Sequence, residues 1–233
     1  MLARTDTAPL SRAAFRAGLL EAVAKVRVEE TRFYRLLSGG RCPRPLLRRY
    51  AQMSIRSADQ FCTMLVELVD KAPTRPARLM LLENLLGEEG IFLSASRGVV
   101  VRPETSHPAL ARRFARACGA EEDPDAIVHA TGGGRALLAE GRWVEAIAHL
   151  LVGMEYPYGD AAPKLARAFQ ANGFSARDVA FFTVHGTADY VHGEQAVEIV
   201  LDNAATRALQ ESCIAEAHAG ADAWIASQGG LAG

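Results

Sequence analysis

The sequence predicts an all-α bundle of about seven or eight helices, on three observations. Apolar residues recur at helical spacing along most of the chain. The single β-prone stretch is short, Gly98-Val99-Val100-Val101. The apolar runs are punctuated by Gly and Pro, as at Ser38-Gly39-Gly40, Pro73 with Pro76, and Gly119. There is no repeat period and no long linker, so the 233 residues are expected to form one domain spanning 1–233.

The first helix is expected over 11–37. Phe15, Leu19, Leu20, Val23 and Val26 share a face, with Ser11 as N-cap and Ser38-Gly39-Gly40 as the stop. Pro45 opens a second helix over 46–69, and a third follows over 77–90. The stretch 91–106 keeps no helical period and reads as a surface excursion or lid. His107-Pro108 starts a fourth helix, with Gly119 as its stop. Glu121-Glu122-Asp123-Pro124-Asp125 is an acidic helix start, and Thr131-Gly132-Gly133-Gly134 is a plain turn. No Lys-Ser/Thr follows those glycines and no strand precedes them, which removes a phosphate-loop reading. Helix is expected again over 137–172 with a break near Pro157. Ser175-Ala176-Arg177-Asp178 resembles a capping box opening a helix that runs to Asp202, and a last helix covers 204–227.

Composition excludes several function classes. A net charge of -1 leaves no basic footprint for nucleic acid, and 7% aromatic residues offer no evident stacking platform. No apolar run approaches the roughly 18–20 residues that span a bilayer. The first residues, Met1-Leu2-Ala3-Arg4-Thr5-Asp6, lack the pattern of a secretory leader, so a cytoplasmic protein with no membrane partner is expected. Cys42, Cys62, Cys118 and Cys213 are widely separated and form no Cys-x-x-Cys pair, as expected of reduced structural thiols.

Chemistry concentrates in 180–194. His185, Asp189 and His192 stand at i, i+4 and i+7, within about 60° of one another on a helix. Phe181, Phe182, Val184, Val191, Val197 and Ile199 make this helix largely apolar, so the polar stripe can face inward. Two imidazoles and a carboxylate suit iron, manganese or zinc better than calcium or magnesium, and a cation offsets the cost of burying Asp189. Further candidates are Glu88 or Glu89, His107, and Glu155, which follows the uncharged run Leu150-Leu151-Val152-Gly153-Met154. Three carboxylates and three imidazoles exceed one ordinary site and suit two metals sharing a carboxylate, as helical bundles hold them. His149 is expected to make an ordinary core or boundary contact.

The order Glu, His, Glu, then His-x-x-x-Asp-x-x-His, resembles the haem-oxygenase-like di-metal oxidases and oxygenases. Within them it is most similar to the branch of the chlamydial protein associating with death domains, a p-aminobenzoate synthase. Asn84-Leu85-Leu86-Gly87-Glu88-Glu89, His107-Pro108-Ala109-Leu110-Ala111-Arg112-Arg113-Phe114, Met154-Glu155 and the stretch from Ala180 to His192 carry the resemblance, over roughly 28–198. It implies six metal ligands: Glu88, His107, Glu155, His185, Asp189 and His192. The family spaces its first Glu and His within one to two helical turns, whereas here 91–106 intervenes. Either His107 returns over the site from a new helix start, or one metal has an incomplete shell.

The resemblance further implies two iron ions, or manganese or a mixed pair, with dioxygen as co-substrate. The expected activity is oxidation or oxygenation of a small amine- or amino-acid-like molecule by N-oxygenation, desaturation or C–C cleavage; a homodimer is also implied. Tyr34 matches the tyrosine consumed in self-sacrificing p-aminobenzoate synthesis. Two other tyrosines of that branch are replaced by Met154 and Phe181, and its lysine has only Lys164 nearby, one position out of register. Alternatives on the same bundle are a metal-independent oxidase like pyrroloquinoline quinone synthase, a hydrolase like thiaminase II, and a non-enzymatic metal-binding or partner-binding module.

Overall fold

Hydroxyl caps set several of the helix starts. Ser11, Thr31, Thr74 and Ser106 each accept a hydrogen bond from the backbone N–H three residues on. These caps open α1 (Arg12–Val23), α2 (Arg32–Ser38), α4 (Arg75–Glu88) and α5 (His107–Ala117). Between α2 and α4 runs the long α3 (Arg44–Lys71), with a proline in its first turn. The computed structural model describes residues 8–123 and 131–230. After α4 the chain forms an antiparallel hairpin, β1 (Ile91–Ser94) paired with β2 (Gly98–Val101), in the register Ile91↔Val101 to Ser94↔Gly98. Beyond α5 come α6 (Gly132–Ala139), α7 (Trp143–Ile147), a π-helical segment Ala148–Glu155, α8 (Tyr156–Ala171), α9 (Ala180–Asn203) and α10 (Arg207–Gly230). The fold is all-α apart from the hairpin.

Several elements differ from the sequence reading. The helix expected over 11–37 is two helices, α1 and α2, separated by a 3₁₀ turn at Val28–Glu30. Phe15, Leu19 and Val23 pack into one core cluster, whereas Val28, Phe33 and Leu37 pack into another. One straight helix cannot serve both, and Thr31 restarts the second. The Gly132-Gly133-Gly134 run opens α6 and is not a turn. Its small residues let α6 lie on the π segment: a Cβ on Gly134 would stand 2.2 Å from Leu150 Cγ, and one on Gly133 2.8 Å from the His149 ring. Glu121 to Asp123 are not helical, and Pro124 and Asp125 lie outside the described residues.

The stretch 137–172 has its break at Gly141, with φ of 77°, and not at Pro157. Pro157 lies in the first turn of α8, directly after the π segment. There the Tyr156 N–H reaches Leu151 O, five residues back, and the widened turn accommodates a residue with no N–H. The Ser175 and Asp178 side chains do exchange capping hydrogen bonds with each other's backbone N–H, at 3.2 and 2.9 Å, although α9 begins only at Ala180. The last helix begins at Arg207, three residues later than expected.

Two backbone-close contacts bring the site-bearing elements together. A Cβ on Gly220 of α10 would lie 2.0 Å from His149 O, and one on Gly153 2.6 Å from Ala217 O, so α10 and the π segment touch main chain to main chain. Between α8 and α9, a Cβ on Gly193 would meet the Tyr156 ring at 2.4 Å and one on Gly186 would meet Pro163 at 2.6 Å. Outside these contacts, Arg16 pairs with Glu194, which also accepts from Tyr156 Oη at 2.8 Å, tying α1 to α9 beside Glu155. The four cysteines are free thiols, and no helix among the described residues is long and apolar enough to cross a membrane. Gly220→Ala must force α10 away from the π segment. We expect a destabilisation of about 1–3 kcal/mol or more in chemical denaturation, against less than 1 for Gly132→Ala, which meets nothing.

Candidate metal centre

Four separate elements deliver the six residues expected as ligands. Glu88 ends α4 and is 2% exposed, whereas its neighbour Glu89 faces solvent, which resolves the choice between them. Glu155 ends the π segment, and His185, Asp189 and His192 form the inward stripe of α9. His107 is the first residue of α5. The hairpin does not carry it away, because the Arg102 N–H returns to Gly90 O at 2.8 Å and closes the base of the excursion. Gly90 has a left-handed φ of 70°, and a Cβ there would collide with Arg102 O at 2.4 Å and Ser106 N at 3.0 Å. That pinch sets Ser106 and His107 back beside Glu88.

One ligand atom from each of Glu88, His107 and His185 lies within 4.8 Å of the others, and the same holds for Glu88, Glu155 and His192. Glu88 belongs to both groups. Asp189 stands outside these two triplets but lines the same cavity and is 1% exposed. The imidazoles of His107 and His185 lie with centroids 4.1 Å apart.

The polar atoms of the cluster are incompletely satisfied. His107 Nδ1 approaches Glu88 Oε2 to 2.5 Å, yet it lacks the alignment of a hydrogen bond and has no hydrogen-bond partner. Both oxygens of Asp189 are buried without a partner among the described residues. Glu155 is better held. Its Oε1 accepts from His192 Nδ1 at 2.9 Å, and the Asn84 amide reaches its two oxygens at 3.1 and 3.4 Å. His185 Nδ1 contacts Phe181 O at 2.6 Å. A carbonyl only accepts, so Nδ1 carries the proton and Nε2 presents its lone pair. Orphaned carboxylate oxygens beside imidazole lone pairs are the donor set of a borderline transition-metal site, and the residues fit such a cation.

Burial governs the electrostatics. It raises Glu88 to about 7, although the nearby His185 and His192 oppose the shift. Asp189 is pushed far above the usual carboxylate range by burial and by the charges of Glu155 and Glu88. Glu155 also rises through burial, against the hydrogen bond from His192. Burial and His192 depress His107 to about 4, and burial and His107 depress His185 to about 3. At His192 burial acts downward, but the hydrogen bond and charge of Glu155 outweigh it and the net shift is upward. Burial therefore favours the protonated form of the acids and the neutral form of His107 and His185.

The cluster forms one wall of a cavity of about 110 Å³. Its other walls include Tyr50, Phe61, Met154, Tyr158, Phe181 and Trp224. The Tyr158 ring lies 5.1 Å from that of His185 and 5.7 Å from that of Trp224, and its phenol shares a hydrogen bond with Tyr50. Burial, then the charges of Tyr50 and Asp189, hold Tyr158 protonated far above its usual range. Met154 and Phe181, which replace tyrosines of the p-aminobenzoate branch, both line the cavity.

Tyr34 is not among the lining residues. It lies half-buried on α2, packed against the cluster that contains Phe33 and Phe169. Lys164 pairs with Glu29 at 2.5 Å and Asp160 at 2.6 Å, also away from the cavity. The stretch 91–106, read as a surface excursion or lid, forms the hairpin, and none of its residues is among those lining the cavity. His149 makes a boundary contact, Nδ1 to Glu216 Oε2 at 3.1 Å. The sequence reading missed Asn84, Tyr50, Tyr158 and Gln228. Asn84 stands four residues before Glu88 on the same helix face, a signal available in the sequence. The others come from positions with no marked spacing.

A solved structure described as a TenA homolog from Pseudomonas syringae pv. tomato str. DC3000 superposes with a TM-score of 0.69 over 93% of each chain at 16% identity. That likeness shows a shared all-α fold. A family model described as iron-containing redox enzyme matches residues 44–225, and the chain belongs to that family. No curated protein matches the chain.

Two outcomes follow from the geometry. Gly90→Ala should leave helical circular dichroism intact while lowering iron affinity by ~10–100-fold, the usual effect of disturbing the support of a ligand. Protons and metal compete for the carboxylates, whose folded values are raised, whereas His107 and His185 are already neutral at pH 5. Metal affinity should thus fall as pH drops from about 7 to 5, by about tenfold per pH unit for each proton displaced. A flat profile in that window in metal-titration calorimetry would contradict the assigned carboxylates.

Proposed function

We propose that the protein is a dinuclear non-haem iron oxidase or oxygenase that uses dioxygen on a small amine- or amino-acid-like substrate. The observation that carries this reading is Glu88, shared by two triplets of ligand atoms, with the unpartnered Asp189 carboxylate buried beside them. Glu88, His107 and His185 are assigned to one cation, Glu88, Glu155 and His192 to the other, and Asp189 completes the set. Family membership supports iron. Bound iron would supply the electrons for reducing dioxygen, since imidazole and carboxylate ligands stabilise both ferrous and ferric states. N-oxygenation, desaturation and oxidative C–C cleavage are the reaction types this reading covers.

The remaining work belongs to the protein's own groups. Asn84 holds both oxygens of Glu155, and Phe181 O fixes the tautomer that points His185 Nε2 at the site. Phe61, Met154, Phe181 and Trp224 give the cavity walls that exclude water from the reacting centre. Tyr158 keeps its phenol proton and donates or shares it with Tyr50, so it can orient a bound molecule but does not act as a base.

Asp189→Asn separates this reading from its rivals. Removing a buried acid with no partner should leave the metal-free protein at least as thermally stable as the parent. The same change should abolish most of the stabilisation by ferrous iron and the oxygen consumption that follows. Anaerobic reconstitution should load about two irons per chain and give an oxygen-dependent absorption band. Iron at background with no such band would overturn the proposal. A second reading, a metal-independent oxidase or hydrolase of the pyrroloquinoline quinone synthase or thiaminase II type, draws on the shared fold. It requires activity that survives both chelation and Asp189→Ala.

A further inference from the structure

The cavity has two chemically different ends. One carries Glu88, Glu155, His185 and Asp189. The other is reached through rings in edge-to-face contact: Tyr158 packs on His185, Trp224 packs on Tyr158, and Gln228 follows Trp224 by four residues on the same face of α10. Gln228 is 3% exposed and lines the cavity, and its Oε1 has no hydrogen-bond partner among the described residues. The neighbouring hydrogen bonds fix the amide orientation. Ser227 Oγ donates its only proton to Trp224 O at 2.6 Å, so it can only accept from Gln228, and Gln228 Nε2 lies 3.3 Å from it. The unsatisfied atom is therefore the carbonyl oxygen, a buried acceptor without a donor.

Among the described residues, no Lys or Arg lines the cavity. A substrate carboxylate at the Gln228 end would find no counter-ion there, and it would face an acceptor. The volume, about 110 Å³, is below that of an engineered apolar cavity that holds benzene (about 150 Å³), so a short aliphatic chain fits better than a ring.

We propose that Gln228 Oε1 is a specificity-determining acceptor, and that the cavity selects a small, largely apolar amine or alcohol whose N–H or O–H end lies away from the carboxylate cluster. This deepens the functional reading above and rests on it for the identity of the cavity as the substrate site; with the N–H end held away from the metal ligands it selects desaturation or C–C cleavage over N-oxygenation. Within the amine- or amino-acid-like class it favours the amine over the free amino acid.

1-Butanol and methyl propyl ether test the assignment, being isomers of equal size of which only the alcohol donates a hydrogen bond. Their affinities for the iron-reconstituted protein would be measured by ligand-observed magnetic resonance or calorimetry, which needs no turnover. 1-Butanol is expected to bind about tenfold or more tightly than the ether, because the ether leaves the buried acceptor unpaired. Gln228→Leu should bring the ratio close to one. Gln228→Glu should keep the donor preference and favour butylamine over 1-butanol. Equal affinities in the parent protein, or a preference that survives Gln228→Leu, would overturn the proposal. Should Gln228→Leu fail to fold, the parent pair and Gln228→Glu decide it. Iron content and oxygen consumption are measured separately. A donor preference in a protein that takes up no iron would refute the oxygenase reading and leave the Gln228 assignment standing.

Discussion

Three carboxylates share a buried interior in which, among the described residues, imidazoles are their ionisable partners of opposite tendency, and this constraint organises the molecule. Glu88, Glu155 and Asp189 are all buried, and Asn84 is the one neutral donor recorded on any of their oxygens. Isolated buried charges are costly, and burial raises all three acids above the usual carboxylate range. Such a cluster detracts from the stability of the metal-free chain. The proposed metal site would explain its presence, since the same desolvation that raises the acids keeps His107 and His185 neutral, with lone pairs to donate.

The fold is built to hold that cluster against its own cost. No single helix supplies more than the stripe on α9, so α4, α5 and the π segment must approach it closely. Glycines make the approach possible: Gly153 and Gly220 where α10 crosses the π segment, Gly186 and Gly193 where α8 lies on α9. The two core clusters meet at Met154, which packs against both and lines the cavity one residue before Glu155. A π segment is energetically inferior to an α-helix and is commonly tolerated where function requires its geometry. Here it carries Glu155 to the site and then yields to α8 at a proline.

How much of this was legible in the sequence depended on whether a relationship was local. His185, Asp189 and His192 sit on one helix, where spacing alone fixes direction, and the stripe does face inward. Glu155 stood out because an uncharged run surrounds it. His107 had no such signal. Its position beside Glu88 depends on the Arg102 to Gly90 hydrogen bond and on a left-handed glycine sixteen residues before Ser106, a closure that no helical period encodes. The division of 11–37 into α1 and α2 was hidden for a similar reason, since both halves carry good helical spacing and differ only in which core they enter. Tyr34 drew attention through resemblance, yet the tyrosines at the cavity are Tyr50 and Tyr158, from α3 and α8.

The distribution of charge within the cavity separates two questions that family membership joins. Ligands that bind a metal are constrained by the metal, so their identity carries no information about what else enters the site. Discrimination among substrates must come from groups the metal does not use, and in this cavity those are neutral: aromatic walls, hydroxyls and one buried amide. Shape and apolar contact distinguish molecules differing by a methylene only weakly, whereas an unpaired buried acceptor rejects a ligand that cannot satisfy it far more strongly. Gln228 is the lining side chain of this neutral end whose buried oxygen lacks a donor. It therefore supplies the sharpest selectivity available to a cavity this small, and it does so from a helix that contributes nothing to the metal ligands.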